Sequence, residues 1–259
     1  MEGIHLIIFC KSDYRTNFLN HCVFSINENV NDKIISKTIV TDQKFEYSDF
    51  DVIQDIELWE LIDNTFQYKK LYLDTWYRQQ ILKLSVDHIK TGDILVVDAD
   101  LVFLKPVQFV KNQKYNFYTA EEFDPRYFNT IDYLLKIKKQ TKESFVSDFS
   151  LFNSSILESL KFEVEENHKK YWLSVLDNVL PKSIQRSYPY KQGFLLSEYE
   201  MYGNFFLARE KSKLNKLIKP VNYRAWVDIK KPLLSLKESD FLNFLKKRSD
   251  NYYQSFRSV

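Results

Sequence analysis

Glycine and proline are scarce in this 259-residue chain, with four and six residues. No Gly/Pro-rich stretch therefore marks a linker, and one domain over residues 1–259 is expected. Only two cysteines occur, Cys10 and Cys22, close together near the start. They exclude a disulfide framework and a cysteine-based zinc spacing. The four histidines, His5, His21, His88 and His168, are scattered without ligand spacing. No apolar run reaches the roughly 18 residues of a membrane span. The N-terminus lacks a basic segment followed by a long apolar stretch, so a cytoplasmic location is expected. Internal repeats and low-complexity tracts are missing too.

What is present is apolar and aromatic material: 44% of residues are hydrophobic and 16% aromatic, against 28% charged, a globular balance. The net charge of +2 is unevenly spread. Residues 205–259 carry 13 Lys/Arg against 5 Asp/Glu, and the rest of the chain 24 against 30. A basic end beside an acidic body suits an anionic partner such as a diphosphate, a lipid headgroup or nucleic acid. A solvated basic face is the plain alternative.

Strand and helix patterns alternate. "IHLIIFC" (Ile4–Cys10) and "KIISKTIVT" (Lys33–Thr41) read as strands around a helix, "NFLNHCVFSINENV". Residues 42–63 read as acidic and irregular. "YLDTWYRQQILKLSVDHIK" places Tyr77, Ile81, Leu84 and His88 on one helical face. His88 therefore reads as a packed core histidine, and Trp76 and Tyr77 as core aromatics. A strand over Gly92–Leu104 follows, then a strand candidate, "YNFYTAEE". Helical segments are predicted in "PRYFNTIDYLLKIKKQ", "EENHKKYWLSVLDNVL" and "SEYEMYGNFFLARE". This order predicts an α/β protein with a mostly parallel central sheet and flanking helices. In such sheets ligands gather at the carboxyl ends of the strands, where Lys11–Arg15 and Asp98–Asp100 fall.

The stretch "GDILVVDADLVFLKP" carries the chemistry. An apolar run of this kind is a strand covered on both faces. Ionised carboxylates are too costly to bury unpaired, so Asp98 and Asp100 should sit at its exit or hold a cation. Hard carboxylate oxygens favour Mg²⁺ or Mn²⁺, which keep waters and bridge to phosphates. Capping of backbone N–H groups at a strand-end turn is the structural alternative. A chemical rival is an aspartyl-nucleophile phosphatase, which also ends a strand in D-x-D. Its strand is usually the first in the chain and needs a later acidic pair, which is not evident here.

"VVDADLVFLKP" resembles the D-x-D segment of nucleotide-sugar glycosyltransferases of the GT-A fold. With "WYRQQILKL", "SFVSDFSLFN" and "SEYEMYGN" in this order, residues 4–207 resemble a family of small bacterial and large-DNA-virus glycosyltransferases. The middle segment departs from that pattern, because Asp148 and Phe149 stand where histidines follow the serine. The resemblance implies a single Rossmann-like GT-A domain, with a donor half at about 1–105 and an acceptor half at about 106–259. It implies metal-dependent transfer of a sugar from a nucleoside diphosphate, UDP by expectation, to a hydroxyl of a glycan or lipid-linked acceptor.

In that reading Asp98 and Asp100 bind the metal, Asp100 as the firmer ligand and Asp98 also reaching the ribose. A late histidine ligand common in such enzymes has no counterpart after His168, leaving Asp228 or water. Lys11, Ser12 and Asp13 lie near the nucleotide, and Arg78 and Gln79 contact donor groups. Arg78 could instead pair with Asp74 four residues earlier. Inverting transfer needs a general base. Ser197 and Glu200 fit a capping box, which occupies Glu200 and leaves Glu198 as base candidate, with Asp148 second. Glu198 as a merely favourable first-turn acid stays open. Nucleic acid is not expected as a partner. The basic C-terminal part would close over the diphosphate or touch an anionic membrane peripherally. The non-enzymatic alternative is a nucleotide- or glycan-binding domain without turnover.

Overall fold

Ile4–Cys10 forms β1, the strand on which the fold is organised. The computed structural model describes residues 3–12, 18–180, 193–219, 227–229, 236–247 and 253–258. In chain order β1 is followed by α1 (Asn20–Asn29), β2 (Ile34–Thr41), β3 (Asp51–Gln54), α2 (Asp55–Ile62), α3 (Lys69–Leu73) and α4 (Thr75–Lys83). Then come β4 (Asp93–Asp98), β5 (Leu101–Phe103), β6 (Val110–Lys111), β7 (Lys114–Tyr118), α5 (Pro125–Leu135), β8 (Phe149–Asn153), α6 (Ser154–His168) and α7 (Trp172–Val179). The chain continues through α8 (Glu198–Arg209), β9 (Leu214–Ile218), β10 (Val227–Ile229), α9 (Glu238–Lys246) and β11 (Tyr253–Ser258).

The central sheet has the order β3-β2-β1-β4-β8. β1 runs parallel to β2 and β4, and β2 parallel to β3, while β8 is antiparallel to β4. This is a Rossmann-like α/β arrangement. The apolar runs explain it. With a side-chain period of two, Ile4, Leu6, Ile8 and Cys10 of β1 face one core with Leu19, Cys22 and Ile26 from the α1 side. Ile7 and Phe9 face the opposite core, built on α2, α4, α5, α6 and α8. β4 divides the same way, with Leu95 and Val97 on the α1 side and Ile94 and Val96 on the other. Two smaller sheets, β10-β11-β5 and β6-β7-β9, flank this body. α9 seals one end with Phe241, Leu242 and Leu245 against Phe18, Val102 and Leu104.

Several boundaries differ from those predicted. The strand expected over 92–104 breaks after Asp98. The Ala99 N–H completes the pairing by donating to the Phe9 carbonyl at 3.0 Å, the chain turns, and β5 leaves to pair with β11. The stretch expected to be irregular contains β3 and α2, started by a Gln54–Glu57 capping box. The helix predicted through His88 ends at Lys83, and a 3₁₀ turn at Val86–His88 swings His88 out to an exposed position. Its apolar side is kept by Tyr77, Ile81 and Leu84, all buried. The helix predicted over 165–180 is two helices, parted at Lys169, whose φ of 52° is left-handed. Among the described residues no helix is long and apolar enough to cross a membrane.

Candidate active site

In the strand order 3-2-1-4, β1 has β2 on one side and β4 on the other. The chain leaving β1 leads to β2 on one side, and the chain leaving β4 leads eventually to β8 on the other. In such sheets ligands gather at the carboxyl ends at that point. A cavity of about 500 Å³ lies at that point, lined by Lys11 beyond β1 and by Asp98, Ala99 and Asp100 beyond β4. Gln79, Asp148 and Glu198 line it as well. Six of the residues singled out from sequence thus meet in one space: Lys11, Gln79, Asp98, Asp100, Asp148 and Glu198.

The centre of the site is a residue that sequence reasoning passed over. Lys83, in the last turn of α4, is 1% exposed. Its Nζ lies 2.8 Å from Asp98 Oδ1, donates to Asp98 Oδ2 at 2.8 Å, and lies 2.9 Å from Glu198 Oε1. It also donates to the Tyr199 hydroxyl at 3.1 Å. Burial alone would lower the pKa of Lys83, but the charges of Asp98 and Glu198 outweigh that and hold it above its ordinary value. Gln79 Nε2 donates to Asp98 Oδ1 at 3.2 Å. Gln80, the next residue, accepts from the Glu198 N–H at 3.2 Å, so α4 braces both acids. The available signal was spacing: Gln79 and Lys83 stand four apart on one face of a helix whose neighbouring positions are core.

Asp100 is 4% exposed. Burial raises its pKa well above the usual carboxylate value, and the charges of Asp98 and Asp148 push the same way. Asp148 is brought close by its backbone: its φ of 60° is left-handed, and its carbonyl accepts from the Asp98 N–H at 2.9 Å. Asp98, Asp100 and Asp148 therefore crowd hard oxygen donors whose mutual repulsion a cation would relieve. Among the described residues no three His, Cys, Asp or Glu side chains are arranged to hold a metal ion by themselves.

The two acids of "SEYE" differ from expectation. The Ser197 hydroxyl does cap α8, accepting from the Glu200 N–H at 3.3 Å. The Glu200 carboxylate, however, does not return to the cap. It accepts from the Phe145 N–H at 3.2 Å and from Asn204 Nδ2 at 2.9 Å, fastening the segment before β8 to α8. Glu198 is not left free either. It is 1% exposed and ion-paired with Lys83, and burial raises its pKa while Lys83 opposes the shift.

The remaining predicted residues lie elsewhere. Arg78 does not line the cavity: its Nε pairs with Asp55 Oδ2 at 3.2 Å and its guanidinium lies over the Tyr72 ring. Asp74, its predicted partner, caps α4 by accepting from the Trp76 and Tyr77 N–H groups. Ser12 is tied to Asp42 through its N–H at 2.7 Å and its hydroxyl at 3.2 Å. Asp13 lies outside the described residues, as does the side chain of Asp228 on β10. Trp76 is only partly buried; it lines the cavity, with Nε1 donating to the Leu196 carbonyl at 3.2 Å.

A model for a family of unknown function (DUF6492) matches residues 17–230. The chain belongs to that family. The matched span takes in Lys83, the Asp98–Asp100 turn and Glu198. No curated protein matches the sequence.

Proposed function

We propose that the protein is a metal-dependent glycosyltransferase of the GT-A type, moving a sugar from a nucleoside diphosphate, UDP in the first instance, to a hydroxyl of a glycan or lipid-linked acceptor with inversion. The observation that carries this reading is the placement of Asp98-Ala99-Asp100. The pair leaves the central strand into the cavity at the switch point of a parallel sheet, where nucleotide-sized ligands bind.

The donor set fits a hard divalent ion. Asp98 has both oxygens engaged by Lys83 and Gln79, which leaves Asp100 as the stronger ligand, with phosphate oxygens and water completing the shell. When bound, Mn²⁺ or Mg²⁺ supplies Lewis-acid stabilisation of the charge that grows on the departing diphosphate. Lys83 fixes the Asp98 carboxylate in orientation through contacts to both of its oxygens. Lys11 offers a cation at the rim for phosphate oxygens. An aspartyl-phosphate mechanism would need an unencumbered Asp98 oxygen, which the Lys83 and Gln79 contacts oppose. A cytoplasmic setting, with the basic C-terminal part near an anionic membrane bearing the acceptor, completes the proposal.

A thermal-shift screen of nucleotide sugars tests it. Stabilisation by a UDP-sugar with Mn²⁺, lost on chelation, is the expected result. A donor-independent melting temperature across the nucleotide panel would remove the reading.

A further inference from the structure

Inverting transfer requires a base, and the acids of the cavity can be sorted by what already holds them. Asp98 and Glu198 are paired with the buried Lys83. Asp124 Oδ2 is paired with Arg126 at 2.6 Å. Asp100 and Asp148 act on one another at the mouth of β4. Glu122 differs. It lies in the segment between β7 and α5, and among the described residues no lysine or arginine pairs with it. Its carboxylate instead accepts from the Tyr127 hydroxyl, which donates to Oε1 at 3.2 Å.

Glu122 also lines two cavities. These are the main cavity and a second opening of about 370 Å³ shared with Glu121, Phe123, Lys142 and Ser144. Phe123 there is 61% exposed, stacks on Phe128 with centroids 5.3 Å apart and has Lys139 Nζ 4.9 Å from its ring centroid. An exposed aromatic plate beside charged hydrogen-bonding groups suits a saccharide, which presents an apolar ring face and a polar rim. Glu122 thus borders both a space suited to a donor and a space suited to an acceptor.

We propose that Glu122 is the general base of the transfer, taking the proton of an acceptor saccharide hydroxyl that enters from the second opening; this rests on the glycosyltransferase reading above. The acceptor O–H proton passes to the Glu122 carboxylate while the oxygen's electron pair forms the bond to the anomeric carbon. The bond from that carbon to the diphosphate breaks, and its electrons leave with the nucleoside diphosphate. The Glu122 carboxyl then returns its proton to water. Burial raises the pKa of Glu122 above its ordinary value, with the Tyr127 hydrogen bond opposing and Asp124 adding to the rise. That direction suits a group which must accept a proton and release it.

The experiment uses UDP binding and UDP release from UDP-glucose, UDP-galactose and UDP-N-acetylglucosamine with water as acceptor, in Mn²⁺, on the full chain. Glu122→Ala is expected to bind UDP within about threefold of wild type. Its turnover should fall by about 10²–10⁴-fold, and sodium formate should restore at least about tenfold of it, which a merely structural role would not allow. Wild-type turnover retained by Glu122→Ala, or a loss that formate does not touch, overturns the assignment. Wild type that binds UDP yet releases none from any donor also counts against it, because a poised base activates water. Absence of Mn²⁺-dependent UDP binding by wild type instead overturns the glycosyltransferase reading itself.

Discussion

Lys83 Nζ sits 2.8 Å from the Asp98 carboxylate and 2.9 Å from Glu198, joining the end of β4 to the start of α8 through a buried ammonium. Removing one member of a buried ion pair leaves an uncompensated charge. Lys83→Met should therefore destabilise the protein by about 3–5 kcal/mol in urea unfolding. Lys83→Met/Glu198→Leu should recover at least about 1 kcal/mol relative to the sum of the single changes, since the two groups interact directly. Strict additivity would show that the triad is not coupled.

Gly203 in α8 meets the ring of Phe145, which is buried in the core. A Cβ at this position would lie 2.3 Å from Phe145 Cγ and 2.4 Å from Cδ2. Alanine usually gains about 1 kcal/mol over glycine inside a helix. Here the overpacking cost of about 1–3 kcal/mol should win, and Gly203→Ala should lower stability. Paired with Phe145→Leu it should lose less. A Gly203→Ala variant more stable than wild type would contradict this packing.

Glu200 is fully buried, and burial raises its pKa above 4.5 despite hydrogen bonds from Ser144, Phe145 and Asn204. The native state therefore keeps the Glu200 proton to higher pH than the unfolded chain does. Its contribution to stability is full below the unfolded value and declines as pH rises through the folded one. The stability difference between wild type and Glu200→Ala should accordingly be larger at about pH 4.5 than at about pH 7.5. Urea titrations at both values check this, and a difference that grows with pH would contradict it.

Much of the framework was legible in the sequence. "IHLIIFC" and "DILVVD" are too continuously apolar to be anything but doubly covered strands, and Ser197 announced the start of α8. The β3–α2 segment escaped because β3 is only partly buried and its acidic surroundings hide the pattern. Lys83 escaped because a lysine among helix formers reads as a surface residue; only the two acids brought by β4 and α8 make its burial tolerable. Arg78 pairs with Asp55, 23 positions away, rather than with a helical neighbour, and no local spacing reveals such a partner. Glu122 drew no notice for the same reason: what distinguishes it is that no lysine or arginine among the described residues pairs with it, visible only once Lys83 and Arg126 are assigned to other acids.

Calorimetric titration of the wild-type protein and Asp100→Ala with UDP, in Mn²⁺ and in chelator, goes straight to the proposed role of the acids that end β4. Wild type should bind at least about tenfold more tightly with Mn²⁺, about 1.4 kcal/mol, and Asp100→Ala should show no such gain. Equal affinity with and without the metal, or a gain that survives the loss of Asp100, would contradict the account.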